Sequence, residues 1–133
     1  MRYGGDGIVV FDTDIFIWIQ RGNEKAARLV DGAVERLLSL QTYLELLQGA
    51  TGKRQMDDTC AFLRDFGFQI LPLTPEIGYR AAVYIESYAL SHGLRAGDAL
   101  VAATAFENGK ILCTANEKHF KALSGLELRV LKP

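Results

Sequence analysis

Four polar side chains stand where predicted strands give way to helices. Asp12 directly follows a short apolar run, and Asn116 comes two residues after another one. Asp98 begins an apolar helical segment, and Glu45 lies one turn inside the helix after the second predicted strand. Carboxylate and amide oxygens suit Mg²⁺ or Mn²⁺, and the sequence has no Cys/His cluster that would favour zinc. The pattern predicts a divalent-cation site.

Helix capping is the competing explanation for each of these residues. Asp and Asn are favoured N-cap types, and Thr42 with Glu45 has the spacing of a capping box. Asp14 either favours the positive end of a helix dipole or joins the cation site, and the sequence leaves this open. Carboxylates converging at one sheet edge repel one another, by roughly 4 kcal/mol per pair at 4 Å and a dielectric of about 20. Capping does not require that cost, whereas a divalent cation removes it.

The elements that must position these residues are short apolar strands alternating with helices. The predicted strands cover residues 8–11, 33–38, 68–71, 111–114 and 128–131, and a turn at residues 4–7 precedes the first of them. The predicted helices cover residues 13–20, 24–30, 42–50, 53–66, 75–92 and 98–108. This alternation predicts an α/β domain with a central, mainly parallel five-stranded sheet covered on both faces. Ligand sites in such sheets form beyond the carboxyl ends of the strands.

Composition restricts the class of protein. A chain of 133 residues fits a single domain, here predicted over residues 1–133. The net charge of −1 excludes broad electrostatic attraction to nucleic acid, so any such binding needs a local patch or a partner subunit. No apolar run is long enough for a membrane span, and no secretory signal is expected. Cys60 and Cys113 lack a CxxC spacing and predict buried, reduced thiols in a cytoplasmic protein.

Four segments resemble the ordered motifs of PIN-domain ribonucleases. They are VVFDTDIFIW at residues 9–18, SLQTYLEL at 39–46, RAGDALVAATA at 95–105 and ILCTANEKHF at 111–120. The resemblance covers nearly the whole chain and is greatest to the VapC-type toxins of toxin–antitoxin pairs. It implies a PIN-like three-layer α/β/α fold.

The resemblance also implies residue roles. Asp12, Glu45 and Asp98 are expected to bind the metal, Mg²⁺ or Mn²⁺. The fourth motif often has an acid where this chain has Asn116, which is expected to act as a neutral ligand or to position water. Thr13 and Thr114 are expected to orient the carboxylates through their hydroxyl groups.

The implied activity is endoribonucleolytic. A metal-activated water attacks an RNA phosphate in line and leaves 5′-phosphate and 3′-hydroxyl ends. Cationic or polar side chains near the motifs are candidate phosphate contacts, although an ordinary solvated face is the favoured explanation for each: Arg21, Lys25, Lys118, His119 and Lys121. His119 is also open to a purely structural explanation.

The expected partners are an RNA substrate, a second copy of the chain and a VapB-type antitoxin whose C-terminal segment occupies an apolar groove. The segment Ile15–Ile19 is apolar nearly all round, so one face is expected in the core, leaving Trp18 or Phe16 for a neighbour.

Two other functions compete with the nuclease. In a haloacid-dehalogenase-type phosphatase, Asp12 would be the nucleophile and Asp14 an acid/base. Against this, that family usually has a lysine ahead of its last acidic motif, whereas the nearest base here is Arg95. The second alternative is a non-catalytic PIN-like binding module.

Overall fold

The computed structural model describes residues 7–133, so most of the turn predicted at residues 4–7 lies outside the described residues. The elements follow one another as β1 Val9–Phe11, α1 Thr13–Gln20, α2 Glu24–Asp31, β2 Leu37–Ser39, α3 Leu40–Gln48, α4 Lys53–Asp65, β3 Gln69–Leu71, α5 Pro75–His92, α6 Ala96–Glu107, β4 Ile111–Thr114, α7 Glu117–Phe120 and β5 Leu128–Val130.

The five strands form one sheet in the order β3-β2-β1-β4-β5. All four neighbouring pairs are parallel, with Val10 opposite both Leu37 and Leu112. The predicted α/β class and five-stranded sheet are confirmed, and the sheet is parallel throughout the described chain. The chain moves outward from β1 in one direction and then returns to β1's other side, so the strand order switches between β1 and β4. The carboxyl ends of these two central strands are therefore the expected position for a site.

Helices cover both faces of the sheet because strand side chains alternate between two cores. Val10 and Leu112 face the core formed with α5 and α6, which contribute residues such as Ile77 and Ala102. Phe11 and Cys113 face the opposite core, to which α1 to α4 contribute. The three central-strand residues Val10, Phe11 and Leu112 have no exposed surface. The three-layer arrangement follows from these two separate apolar clusters.

Two helix starts differ from the predicted ones. The proposed capping box of Thr42 and Glu45 is wrong, because Ser39 is the N-cap of α3 and its hydroxyl accepts the backbone N–H of Thr42 at 2.9 Å. Asp98 does not cap α6 either, because that helix begins at Ala96 and Asp98 lies in its first turn. Neither Glu45 nor Asp98 is therefore explained by helix capping.

The predictions for the cysteines and for the aromatic residues of α1 are confirmed in part and corrected in part. Cys113 is buried, whereas Cys60 is only partly buried, and both are free thiols. Phe16 is buried in the core and does not remain for a neighbouring molecule, while Trp18 is half-buried. Over residues 7–133, no helix combines the length and apolar character needed to cross a bilayer.

Candidate metal centre

Asp12 lies at the carboxyl end of β1 and is almost completely buried. One carboxylate oxygen accepts the backbone N–H of Thr13 at 2.8 Å, so Asp12 does cap α1. The other oxygen accepts the hydroxyl of Thr114, at the end of the adjacent β4, at 2.8 Å. Capping therefore occupies only half of this carboxylate, and the other half faces β4.

Asp14 joins the same group from the first turn of α1. Its Oδ2 accepts the backbone N–H of Ala115 at 3.1 Å and lies 3.3 Å from the Thr114 hydroxyl. Its Oδ1 is buried and has no hydrogen-bond partner among the described residues. An unpartnered buried carboxylate oxygen is costly unless a cation or a proton compensates it. A cation or a proton at this oxygen would remove that cost.

Glu45 enters from α3 and is held at both carboxylate oxygens. The Thr13 hydroxyl donates to Oε1 at 2.6 Å, and the side-chain amide of Gln41 donates to Oε2 at 2.9 Å. The Thr13 hydroxyl also lies 3.0 Å from that of Thr42, which is buried. A β-carbon at Gly97 would lie 2.6 Å from Oε2. The missing side chain at Gly97 thus allows α6 to approach the Glu45 carboxylate.

Asp98 contacts the fourth motif through His119. The Nδ1 atom of His119 lies 3.4 Å from Asp98 Oδ2 and 2.9 Å from the Asn116 side-chain nitrogen. Asn116 occupies the N-cap position of α7 but makes no side-chain capping bond. His119 therefore links the third motif to the fourth, a contact that neither motif reveals by itself.

Burial and mutual repulsion raise the pKa values of the acids. Desolvation, followed by the charge of Asp14, raises the pKa of Asp12 to about 7 against hydrogen bonds from Thr114 and Thr13, with Asp98 adding a further repulsion. Burial also raises the pKa of Asp14. Burial raises the pKa of Asp98, which His119 opposes and Glu45 reinforces. The charges of Asp14 and Asp98 therefore act on Asp12, and the charge of Glu45 acts on Asp98.

The donor set suits a hard cation such as Mg²⁺ or Mn²⁺. Within the described range, however, no three Asp, Glu, His or Cys side chains stand as a ready-made cluster around one ion. Mg²⁺ usually keeps several water ligands and is held by one or two carboxylates, so it does not need such a cluster. The charge crowding and the unpartnered oxygen of Asp14 fit an ion of this kind.

The candidate phosphate contacts lie in different places. Arg21 packs over the Trp18 ring at 5.4 Å, and Lys25 donates to the backbone carbonyl of Lys132 at 3.2 Å. Lys118 and Lys121 are exposed beside the fourth motif. Among these candidates, His119 contacts an acid of the site, because its Nδ1 atom lies 3.4 Å from Asp98 Oδ2.

Sequence reasoning missed Gln41, Thr42 and Gly97 as supports of Glu45. The Gln41–Glu45 spacing of four residues places both side chains on one helix face, so this contact was within reach of the sequence. The role of Gly97 was not, because it depends on the packing of α6 against α3. Asp14 was left open, and the structure brings it into the acid group.

Comparison with known families matches residues 9–126 to the PIN domain. The chain belongs to the PIN domain family. The matched segment contains the four acids together with Thr114, Asn116 and His119. The comparison with curated proteins gives no match.

Several solved structures share the PIN fold of this chain. A toxin–antitoxin complex from Klebsiella pneumoniae is 27% identical, with a TM-score of 0.74 over 90% of this chain and 94% of that one. VapBC2 from Rickettsia felis bound to a promoter DNA fragment is 20% identical, with a TM-score of 0.77 over 94% and 99%. FitAcB from Neisseria gonorrhoeae is 24% identical, with a TM-score of 0.70 over 91% and 96%.

Proposed function

We propose that this PIN-domain chain is a metal-dependent endoribonuclease and the toxin component of a toxin–antitoxin pair. The observation that carries the proposal is that Asp12 and Asp14 both contact the Thr114 hydroxyl. The charge of Asp98 also raises the pKa of Asp12, and the charge of Glu45 raises the pKa of Asp98. Four acids at the switch point of a parallel sheet are a costly arrangement that a divalent cation compensates. The toxin assignment is supported by the solved structures of similar fold, among them toxin–antitoxin and VapBC complexes.

The metal would be held by Asp12, Asp98 and Glu45, with Asp14 as a further candidate ligand. When bound, a divalent cation lowers the pKa of a water molecule and stabilises negative charge on the departing oxygen. Thr114 and Thr13 hold the two acids from β1 and α3 in fixed orientations. Asn116, turned toward His119, is the proposed water-positioning group.

The proposed reaction is hydrolysis of an RNA phosphodiester. The water oxygen bonds to phosphorus, the bond from phosphorus to the 3′-oxygen breaks, and the proton passes to that oxygen. The products carry a 5′-phosphate and a 3′-hydroxyl. Because the acids occupy the carboxyl ends of β1 and β4, the scissile phosphate would approach from that edge of the sheet.

Cleavage of labelled RNA by the purified chain tests this function. We expect cleavage with Mn²⁺ or Mg²⁺, none with EDTA, and a loss of at least about a hundredfold in Asp98→Asn, because the substitution removes a ligand charge. Ligation-based mapping of the ends should find 5′-phosphates. Full activity in EDTA or in Asp98→Asn contradicts the metal mechanism. Metal binding without cleavage favours the non-catalytic module instead.

An antitoxin partner is part of the proposal. A cavity of about 320 Å³ lies between α1, α3 and α4, and its apolar lining includes Ile19, Leu46 and Phe62 beside the polar Gln20, Gln55, Asp58 and Thr59. This groove is the proposed seat of the antitoxin's C-terminal segment. RNA substrate and antitoxin would meet in the cytoplasm, where the free Cys60 and Cys113 would stay reduced.

A homodimer is proposed as well. The outer face of α5 exposes large apolar side chains that a second copy would cover: Tyr79, Val83 and Leu90. Gel filtration of the isolated chain at micromolar concentration should show a dimer, and a clean monomer contradicts this proposal.

Membership of the PIN family decides against the phosphatase alternative. We therefore expect no turnover of p-nitrophenyl phosphate.

A further inference from the structure

A basic groove lies between α2 and the end of β5. It has a volume of about 450 Å³. Three of its lining residues are cationic and three are apolar: Lys25, Arg28, Lys132, Leu29, Val130 and Leu131. All three cationic residues are exposed. Such a surface attracts an anion and offers apolar contacts beside it.

The basic groove begins next to the acid site. Leu131 donates its backbone N–H to the carbonyl of Thr114 at 2.8 Å, so the chain leaves β5 beside the end of β4. Lys132 is the next residue. The hydroxyl of the same Thr114 donates to Asp12. Adjacent strands in a sheet are about 4.8 Å apart, and β4 separates β5 from β1. The groove at Leu131 therefore lies roughly two strand spacings from Asp12, a distance that an extended ligand can span.

The cations of the groove have fixed backbones. Asn23 caps α2 by accepting the N–H of Ala26 at 2.9 Å, and Ala26 and Val30 anchor the helix in the core. The Lys25 ammonium donates to the Lys132 carbonyl at 3.2 Å, and an ammonium has two further N–H groups for a ligand. These contacts therefore organise the groove and leave N–H donors free for a ligand.

Two acids near the groove oppose its charge. Glu24 lies 3.7 Å from Arg28, but both side chains are exposed and water screens such pairs strongly. Glu35 lines a neighbouring cavity of about 200 Å³, where Arg28 and Arg129 face it. Cations outnumber acids across both cavities.

We propose that the basic groove binds the sugar–phosphate backbone of single-stranded RNA on one side of the scissile bond. This inference rests on the proposed ribonuclease function and adds a substrate track to it. The net charge of −1 gives the whole chain no attraction for RNA, so binding must depend on a local patch. The basic groove is such a patch, and it lies beside the acids.

Binding of a labelled 12-nucleotide oligouridylate in EDTA, followed by fluorescence anisotropy, tests the groove without cleavage. The test variant is the full chain with Lys25→Gln, Arg28→Gln and Lys132→Gln. We expect its affinity at about 0.1 M salt to fall at least about tenfold. The slope of log affinity against log salt should shrink by about 2, because each phosphate contact on a single strand contributes about 0.7.

The matched control removes three cations from α4, by Lys53→Gln, Arg54→Gln and Arg64→Gln, none of which lines the groove. It changes the net charge equally and should lose less than about threefold, since long-range charge effects are screened. Equal losses in the two variants, unchanged binding in the groove variant, or no RNA binding by the wild type would each overturn the groove. Binding of polyglutamate is measured on the same variants. If the groove variant loses affinity for polyglutamate but not for RNA, the surface binds an acidic protein and the RNA proposal is overturned.

Cleavage measured in parallel separates this inference from the function on which it rests. Wild-type cleavage with unchanged RNA binding in the groove variant rejects the groove and leaves the nuclease. Selective loss of RNA binding without any wild-type cleavage in Mn²⁺ supports the groove as an RNA site and rejects the nuclease.

Discussion

The hydroxyl of Thr114 lies 2.8 Å from Oδ2 of Asp12, although the two residues are 102 positions apart in the chain. The contact exists because β1 and β4 are neighbours at the switch in strand order. The same hydroxyl lies 3.3 Å from Asp14, so a single donor sits between two acids that repel each other. The Thr114 hydroxyl therefore contacts both acids, and we propose that it fixes their orientation.

Replacing Thr114 by valine should lower the cleavage activity by more than the accompanying loss of folding stability can explain. Outer-shell partners of metal ligands typically contribute about tenfold to a hundredfold in affinity or activity, and we expect a loss in that range for Mn²⁺ affinity and for RNA cleavage. Calorimetric titration and initial rates measure the two effects. Thr104→Val is the matched control, because Thr104 is also buried but donates only to Leu100 in its own helix. Similar losses of activity in both variants would contradict the positioning role.

Gly97→Ala should separate function from stability. The new β-carbon would meet Glu45 Oε2 at 2.6 Å, and the carboxylate can move because it is the end of a flexible side chain. We expect the free energy of unfolding to change by less than about 1 kcal/mol, since the helix propensity of Ala offsets the contact. Cleavage should fall about tenfold to a hundredfold, because Glu45 is displaced.

The control for this prediction is Gly78→Ala in α5, where a β-carbon meets nothing within 4 Å. This variant should gain roughly 0.5–1 kcal/mol of stability and keep full activity. Denaturant unfolding and RNA cleavage, measured on both variants, check the pair. Wild-type activity in Gly97→Ala would show that the Glu45 position is not important for the reaction.

Asp12→Asn should stabilise the metal-free protein at pH 8. The substitution removes a buried charge that Asp14 and Asp98 repel, while the amide still offers Thr13 and Thr114 hydrogen-bonding atoms. We expect a gain of roughly 1–2 kcal/mol in the free energy of unfolding and the loss of the Mn²⁺-dependent rise in Tm. Asp57→Asn, at an exposed pair with Lys53, should change stability by less than about 0.5 kcal/mol. A less stable Asp12→Asn would contradict the charge-crowding argument.

The pH dependence of this gain has a defined direction. The pKa of Asp12 rises from 3.8 to about 7 on folding, so the folded state binds the proton more tightly than the unfolded state. Its contribution to stability is fully present below pH 3.8 and is lost as the pH rises toward about 7. The difference in the free energy of unfolding between Asp12→Asn and the wild type should therefore grow between pH 3.8 and about pH 7 and then level off. Unfolding of both proteins in EDTA from pH 4 to pH 9 measures the difference, and a constant difference would contradict it.

Excess Mn²⁺ should abolish this decline in the wild type, because the cation binds the deprotonated carboxylate. Below about pH 7, binding should also release protons, which calorimetry in buffers of different ionisation enthalpy detects. If Mn²⁺ binding releases no protons at any pH in this range, Asp12 is already ionised without the metal.

The amino-acid sequence by itself predicted the class of fold and the acids Asp12, Glu45 and Asp98 of the candidate site. Short apolar segments separated by helical ones allow only a sheet buried on both faces, and Asp12 at the end of the first segment must emerge at its carboxyl edge. These are local properties, because strand burial and helix periodicity depend on neighbouring residues. Even the contact of Gln41 with Glu45 follows from a helical spacing of four residues.

Only the tertiary structure decided which of these polar residues share one environment. Ser39 rather than Thr42 caps α3, and this frees Glu45 to accept a hydrogen bond from Thr13. The strand order places Thr114 against Asp12, and the packing of α6 at Gly97 determines how close Glu45 comes. Such relationships depend on atoms far apart in sequence, whose approach is decided by the packing of whole elements rather than by any local pattern.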